Sequence, residues 1–437
     1  MRTLYDIVRS CLFTIAACVY QAIHQNMPDP KAKMWGRLQV RIKITIYALI
    51  APEMMIWWAM RQWYGAIEIA KEKIVQPQVG LNWTQTHGQF AQMGGFARKD
   101  DKCVIYPEEL IGLLRNGCID LDQLKLTKED IDDKSKGDIL SKAFVAFQTT
   151  WFVFECLARL QQKLPLIELE VVTLAFAVLN VITYALWWYK PLNALRPIYL
   201  HIRETPGNWS RGQIDYVEDD GWWESTWKQC IKRPFVAVVV QAQSQAEEKG
   251  DGMVAKGRAA VGKMVNAIKE DVGKRGWWLT VWKRLMKQPF LAVVMPLFEL
   301  LWDSDVHSEA MHVSTFYGVD IGEEKLNLVQ RLSCFVGIIF GVIHFLAWHS
   351  TFPTHTELLL WRISSIVLVV QPVFLVLVFL ITDECLGPFL LFVFLAVGPI
   401  SYILARFCLL ALALLTLQNL PPHALDSITW TFFIPHL

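Results

Sequence analysis

"LEVVTLAFAVLNVITYALWWYK" occupies residues 169–190, and its reading decides the rest of the chain. No charge falls between Glu170 and Lys190, and the run has the roughly 20 residues a helix needs to cross a bilayer. It ends in Trp187, Trp188, Tyr189 and Lys190, the aromatic and lysine belt expected where a span meets the headgroups. Applied outward, the same length test picks out residues 332–348, 363–382 and 388–417, the last containing Pro399 and long enough to bend there. Three further runs, 7–23, 44–63 and 143–160, are weaker because they carry charge. The sequence predicts an all-α fold, a polytopic transmembrane helix bundle of about seven spans, with helical extramembrane regions and interfacial amphipathic helices.

Composition agrees with this class. Of 437 residues 54% are hydrophobic and mean hydropathy is positive, which argues against a soluble multidomain enzyme. Charge is nearly balanced, with 42 Lys+Arg against 41 Asp+Glu, so no basic field suggests nucleic acid. The 19 tryptophans suit a headgroup zone. The partners expected are the lipid bilayer and, in a homo-oligomer, further copies of the chain, in a plasma membrane or endomembrane.

The spans divide the chain into residues 1–66 (two helices), 67–141 (extramembrane), 142–190 (a helix pair), 191–329 (extramembrane and interfacial), 330–420 (three helices) and a 421–437 tail. In 67–141 the capping-box pattern Thr127 to Asp130 opens a short helix. The acidic cluster is no EF-hand, because Lys134 falls on a ligand position and Gly137 is out of register. Region 191–329 holds an internal repeat, "GWWESTWKQCIKRPFVAVVV" (221–240) and "GWWLTVWKRLMKQPFLAVVM" (276–295). Trp222, Trp223 and Trp227, echoed by Trp277, Trp278 and Trp282, read as interfacial anchors ahead of apolar runs too short to span.

The run 7–23 has signal-peptide length, but no small-x-small cleavage site follows, so a retained helix is expected. The basic 31–43 loop belongs in the cytoplasm. Seven spans then put the amino-terminal side and both long regions outside. Asn82 and Asn208 head glycosylation sequons there, and Cys103 with Cys118 is a candidate disulfide.

Charge inside apolar runs marks candidate function. Glu53 in "IAPEMMIWW", Glu155 and Arg159 four apart in "WFVFECLARL", and Arg406 in "PISYILARFCLL" are expected to form a polar core. His307 and His312, like His344 and His349, are five apart and share no face. No zinc, phosphate-loop or nucleophile motif appears, so no metal or cofactor is expected.

The segments "RTLYDIVRSCLFTIAACVYQAIHQNMP", "APEMMIWWAMRQW", "WTQTHGQFAQMGGF", "KEDIDDKSKGDILSKAFVAFQTTWFVFECLARL", "LPLIELEVVTLAFAVLNVITYALWWYKPL" and "YILARFCLLALALLTLQNLP" occur in order over nearly the whole chain. Together they resemble a family of uncharacterised fungal multi-pass membrane proteins. The resemblance implies Cys11 and Cys18 on the first span, an acidic residue after Ala51-Pro52, and in some relatives a secretory leader. It supplies no activity.

The charged core favours a channel or transport-like component. The alternatives are a membrane enzyme for a lipid or isoprenoid substrate, with Glu53 or Asp6 as general acid, and a receptor or scaffold.

Overall fold

The structure, a computed structural model, describes residues 2–21, 23–72, 75, 81–135, 138–203, 310–380 and 386–429. The chain divides into two compact units. The first comprises Met1–Val217, Asp303–Leu377 and Val397–Leu437. The second falls outside the described residues except for 378–380 and 386–396. So do Asn208 and the six repeat tryptophans, Trp222, Trp223, Trp227, Trp277, Trp278 and Trp282.

The bundle is assembled around α8 (Glu168–Leu186), a helix apolar on all sides that buries Leu169, Val172, Ala175, Phe176 and Leu179. Such a helix belongs at a core, and α8 packs on α1 (Leu4–Ala16), α3 (Pro52–Lys71), α7 (Asp138–Gln161) and α9 (Glu323–Ile343). α1 starts at a Thr3–Asp6 capping box and runs into a π-turn, Ala17–Gln21. Beyond α9 come α10 (His355–Leu380) and α11 (Leu386–Leu415).

Among the described residues four helices are long and apolar enough to cross a membrane: Glu168–Leu186, Glu323–Ala347, His355–Leu377 and Gly398–Gln418. A fifth candidate is the pair α2 (Met34–Ile50) and α3, bent by 113°. The expected seven therefore reduce to four or five on length and composition. The run 44–63 is not one helix, because Pro52 has no N–H to continue α2 and takes the N1 position of α3 instead. Ala51 sits between them in a non-helical conformation. α7 is unbroken, yet Glu155, Arg159 and its glutamines and threonines dilute its apolarity.

Regions 67–141 and 191–329 contribute to one small domain. Its helices α4 (Gln85–Gln92), α5 (Pro107–Arg115) and α6 (Lys128–Asp132) share a core containing Phe90, Phe96, Tyr106, Leu113 and Ile131, closed by Leu200, Val313 and Tyr317. The fold departs from all-α here, since β1 (Phe96–Arg98) pairs in parallel with β2 (Ile198–Leu200), Phe96 against Ile198.

Two glycines set helix spacing. A Cβ on Gly88 would lie 2.2 Å from the Ala66 carbonyl oxygen, and one on Gly341 would lie 2.7 Å from Val369 Cγ2. Gly337 and Gly341 form the small-xxx-small pattern that lets α9 and α10 approach closely. Gly88→Ala and Gly341→Leu are each expected to cost about 1–3 kcal/mol by overpacking. In detergent both should melt earlier than wild type, while Gly36→Ala, whose nearest neighbour is 3.8 Å away, should not.

Candidate functional site

The break between α2 and α3 leaves the last carbonyls of α2 without intrahelical partners. Arg406, on α11, supplies the donors: Nε to Ile50 O and Nη2 to Leu49 O, both at 3.1 Å. Its guanidinium lies 4.2 Å from the Phe340 ring centre and 5.1 Å from that of Phe176, and the residue is buried. Glu53, in the first turn of α3, faces Arg406 and Tyr402. No direct ion pair joins Glu53 to Arg406 among the described residues, and Glu53 Oε2 has no hydrogen-bond partner. His344, at the end of α9, is wholly buried beside the same guanidinium. Its Nδ1 donates to Phe340 O at 2.9 Å, which leaves the Nε2 lone pair unmet.

Glu155 and Arg159 lie elsewhere, at the end of α7. Arg159 donates to Pro165 O, Ala424 O and Asp426 O rather than to Glu155. Arg2 pairs with Glu170 and donates to Ala424 O. The expected single polar core is thus two clusters, one at the helix break and one at a bundle end.

A third cluster centres on Lys190, which is fully buried rather than interfacial. Its Nζ donates to Gln62 Oε1 at 2.7 Å and Asn26 Oδ1 at 3.0 Å, and lies over the rings of Trp58 and Trp187. No carboxylate pairs with it among the described residues. Gln62 is fully used: Oε1 also accepts from Trp187 Nε1, while Nε2 donates to Asn26 Oδ1 and Tyr317 O. Asn26 and Trp58 add donors to the carbonyls of Ser314 and Tyr317, and Arg61 bonds Gly318 O. Polar Arg61 and Gln62 inside an otherwise apolar run were the sequence signal for this node; nothing local marked Lys190 as buried.

Asn82 is exposed just before α4. Cys103 and Cys118, a candidate disulfide in the sequence, are not bonded to each other in this structure, and their Sγ atoms reach Asp101 O and Asn116 O. Among the described residues no His, Cys, Asp or Glu group is arranged to hold a metal. In the domain, His87 accepts the Thr84 N–H at Nδ1 and so donates from Nε2 to Leu126 O at 2.9 Å.

Residues 1–207 match the model of a family of unknown function (DUF8562). That segment includes Asn26, Glu53, Gln62 and Lys190 but stops short of Tyr317, His344 and Arg406. No curated protein and no solved structure matches the chain.

Two outcomes follow. Lys190→Met removes a buried charge that lacks a counter-ion and should change stability by less than about 1 kcal/mol. Gln62→Leu strands Lys190, Trp187 and Tyr317 O and should cost at least about 2 kcal/mol, so thermal melts should rank Gln62→Leu well below Lys190→Met. Burial holds His87 below its ordinary pKa. Because the unfolded chain then takes up its proton first, stability is present above about pH 6.5 and is lost as pH falls through the folded value. Melts at descending pH should show this acid loss, and His87→Gln, which keeps a cap acceptor, should flatten it.

Proposed function

We propose that the chain is a polytopic membrane protein of transport-like type, in which α2 and α3 form a re-entrant hairpin whose tip serves an ion path. The observation that carries this reading is the tip itself: a helix break within the bundle, bearing Glu53 and held by Arg406. Discontinuous helices with ionised side chains recur where membrane proteins move ions.

The side-chain contacts support six crossings around that hairpin. Arg2, the α7–α8 turn and residues 424–426 meet at one end of the bundle, through Arg2 N–H to Leu425 O at 2.9 Å and the Arg159 bonds. At the opposite end, Arg41 of α2 meets Asn193, Gln62 of α3 meets Lys190, Lys142 of α7 meets Trp188 O, and Lys325 of α9 meets Glu68. α2 enters and α3 returns at this domain end, so the pair does not cross. α1 with its π-turn, α7, α8, α9, α10 and α11 then cross alternately. The apolar face of α7, with Phe147, Trp151, Phe154 and Leu157 exposed, suits lipid contact.

Because α2 and α3 do not cross, the long regions move to the side of the basic 31–43 segment, while the amino-terminal end keeps the orientation expected from seven spans. Lys31, Lys33, Arg37, Arg41 and Lys43 lead into the hairpin from the domain end, so that end takes the cytoplasm by the positive-inside rule. The thiols of Cys103 and Cys118 fit a reducing compartment.

In a eukaryotic host, a sequon engineered into the 349–354 link should be glycosylated while Asn82 is not. A glycan on Asn82 would reverse the orientation. Purified protein in liposomes, assayed with dyes for H⁺, K⁺ and Cl⁻, should carry at least one of them above empty vesicles. Absence of all three fluxes would favour an enzyme or scaffold instead.

A further inference from the structure

We propose that the hairpin tip is a proton-binding site, with Glu53 as the group that takes up and releases H⁺ and Arg406 as a fixed counter-charge, so that H⁺ is the ion moved. This rests on the transport reading above and names its species.

The argument is one of satisfied and unsatisfied groups. A carboxylate permanently locked to a guanidinium would have both oxygens engaged. Glu53 instead has Oε2 unmet and makes no direct ion pair with Arg406. The guanidinium is occupied by the carbonyls of Leu49 and Ile50 and by the Phe340 and Phe176 faces. Arginine does not give up its proton in proteins, so Arg406 cannot be the titrating partner. Among the described residues the titratable groups facing Glu53 are Arg406 and Tyr402 from α11 and Cys334 from α9. α10 presents Pro372, packed on Gly337 next to Glu53, and α2 presents the carbonyls already bound. None of these is another carboxylate, so Glu53 is the carboxyl at the tip that can bind a proton, by COO⁻ + H⁺ ⇌ COOH with no other bond changed.

A second unmet acceptor lies further along. His344 Nε2 has a lone pair and no donor, and His344 is seven residues past Gly337 on α9, about 10 Å nearer the Arg2 end at the helical rise. The hairpin opens to the domain end. His344 Nε2 is therefore a second unmet acceptor farther along the bundle, and the Arg406 charge beside both groups disfavours protonating the two together.

The test uses the full-length protein in liposomes with two readouts. Infrared difference spectra taken while the pH is stepped should contain a protonated-carboxyl C=O band that is lost in Glu53→Gln and retained, shifted, in Glu53→Asp. Inward H⁺ flux under a K⁺/valinomycin potential should fall at least tenfold in Glu53→Gln, with Glu53→Asp intermediate and both variants monodisperse. Lack of a titrating Glu53 band would overturn the proton site. K⁺ or Cl⁻ flux without H⁺ flux would overturn H⁺ as the species, and H⁺ flux unchanged in Glu53→Gln would overturn Glu53 as the group that carries it; either leaves the conduit standing. A titrating Glu53 with no flux of any ion would overturn the conduit and, with it, H⁺ movement.

Discussion

The bond from Arg406 to the carbonyls of Leu49 and Ile50 is the constraint on which the bundle depends. A helix that stops in hydrocarbon exposes backbone oxygens that water cannot reach, each costing several kcal/mol on the order set by transfer to an apolar phase. Although Pro372 and Pro399 lie inside helices that continue, Pro52, with no N–H to extend α2, favours that stop. Only a donor from another helix can satisfy it, and a guanidinium with two parallel N–H groups serves two successive carbonyls at once. Arg406 is buried because of where α2 ends, and α11 packs where it does in order to bring Arg406 there. The Phe340 and Phe176 rings replace the hydration that the guanidinium gives up.

The three buried polar clusters differ in how completely they are satisfied, and that difference separates scaffolding from chemistry. At the Lys190 node Gln62 uses both amide hydrogens and both lone-pair directions, and Asn26 Oδ1 accepts from Lys190 and Gln62. A network of this kind fixes one geometry and has nothing left to offer a ligand. The Arg159 cluster likewise spends its donors on carbonyls, tying residues 424–426 to the α7–α8 turn. At the helix break the unmet acceptors, Glu53 Oε2 and His344 Nε2, both lie beside the fixed charge of Arg406. Native proteins seldom leave such groups without a role.

The apolar runs at 169–189, 332–348, 363–382 and 388–417 were legible because length and apolarity are additive along a chain, and the four helices follow them. The run at 44–63 misled for the same reason: a hydropathy window averages across Pro52, whereas backbone hydrogen bonding does not. The proline was visible, but only the position of Arg406, 354 residues later, decides that the chain turns back there. Charge inside the runs pointed to Glu53 and Arg406, and both lie at the break. It pointed equally to Glu155 and Arg159, whose i,i+4 spacing suggested a pair, although Arg159 is drawn off by carbonyls brought in from residues 424–426. Lys190 looked like any interfacial lysine, because the groups that bury it come from positions 26, 58 and 62. The two-stranded sheet was not legible at all, its partners lying a hundred residues apart.

α3 joins two of these clusters with a single unbroken helix of 20 residues, about 30 Å of rigid rod. One end carries Glu53 in its first turn; Trp58, Arg61 and Gln62 farther along bond residues 314–318, and Gln62 also binds Lys190. Those contacts hold both flanks of region 191–329, the segment leaving at Lys190 and the segment returning at Ser314. The flanks therefore cannot shift against the bundle without either breaking these buried bonds or carrying α3 with them. Breaking them strands several polar groups at once, each costing about 1–3 kcal/mol. Glu53 therefore sits on the same rigid helix that holds the described residues 314–318 and Lys190 in place.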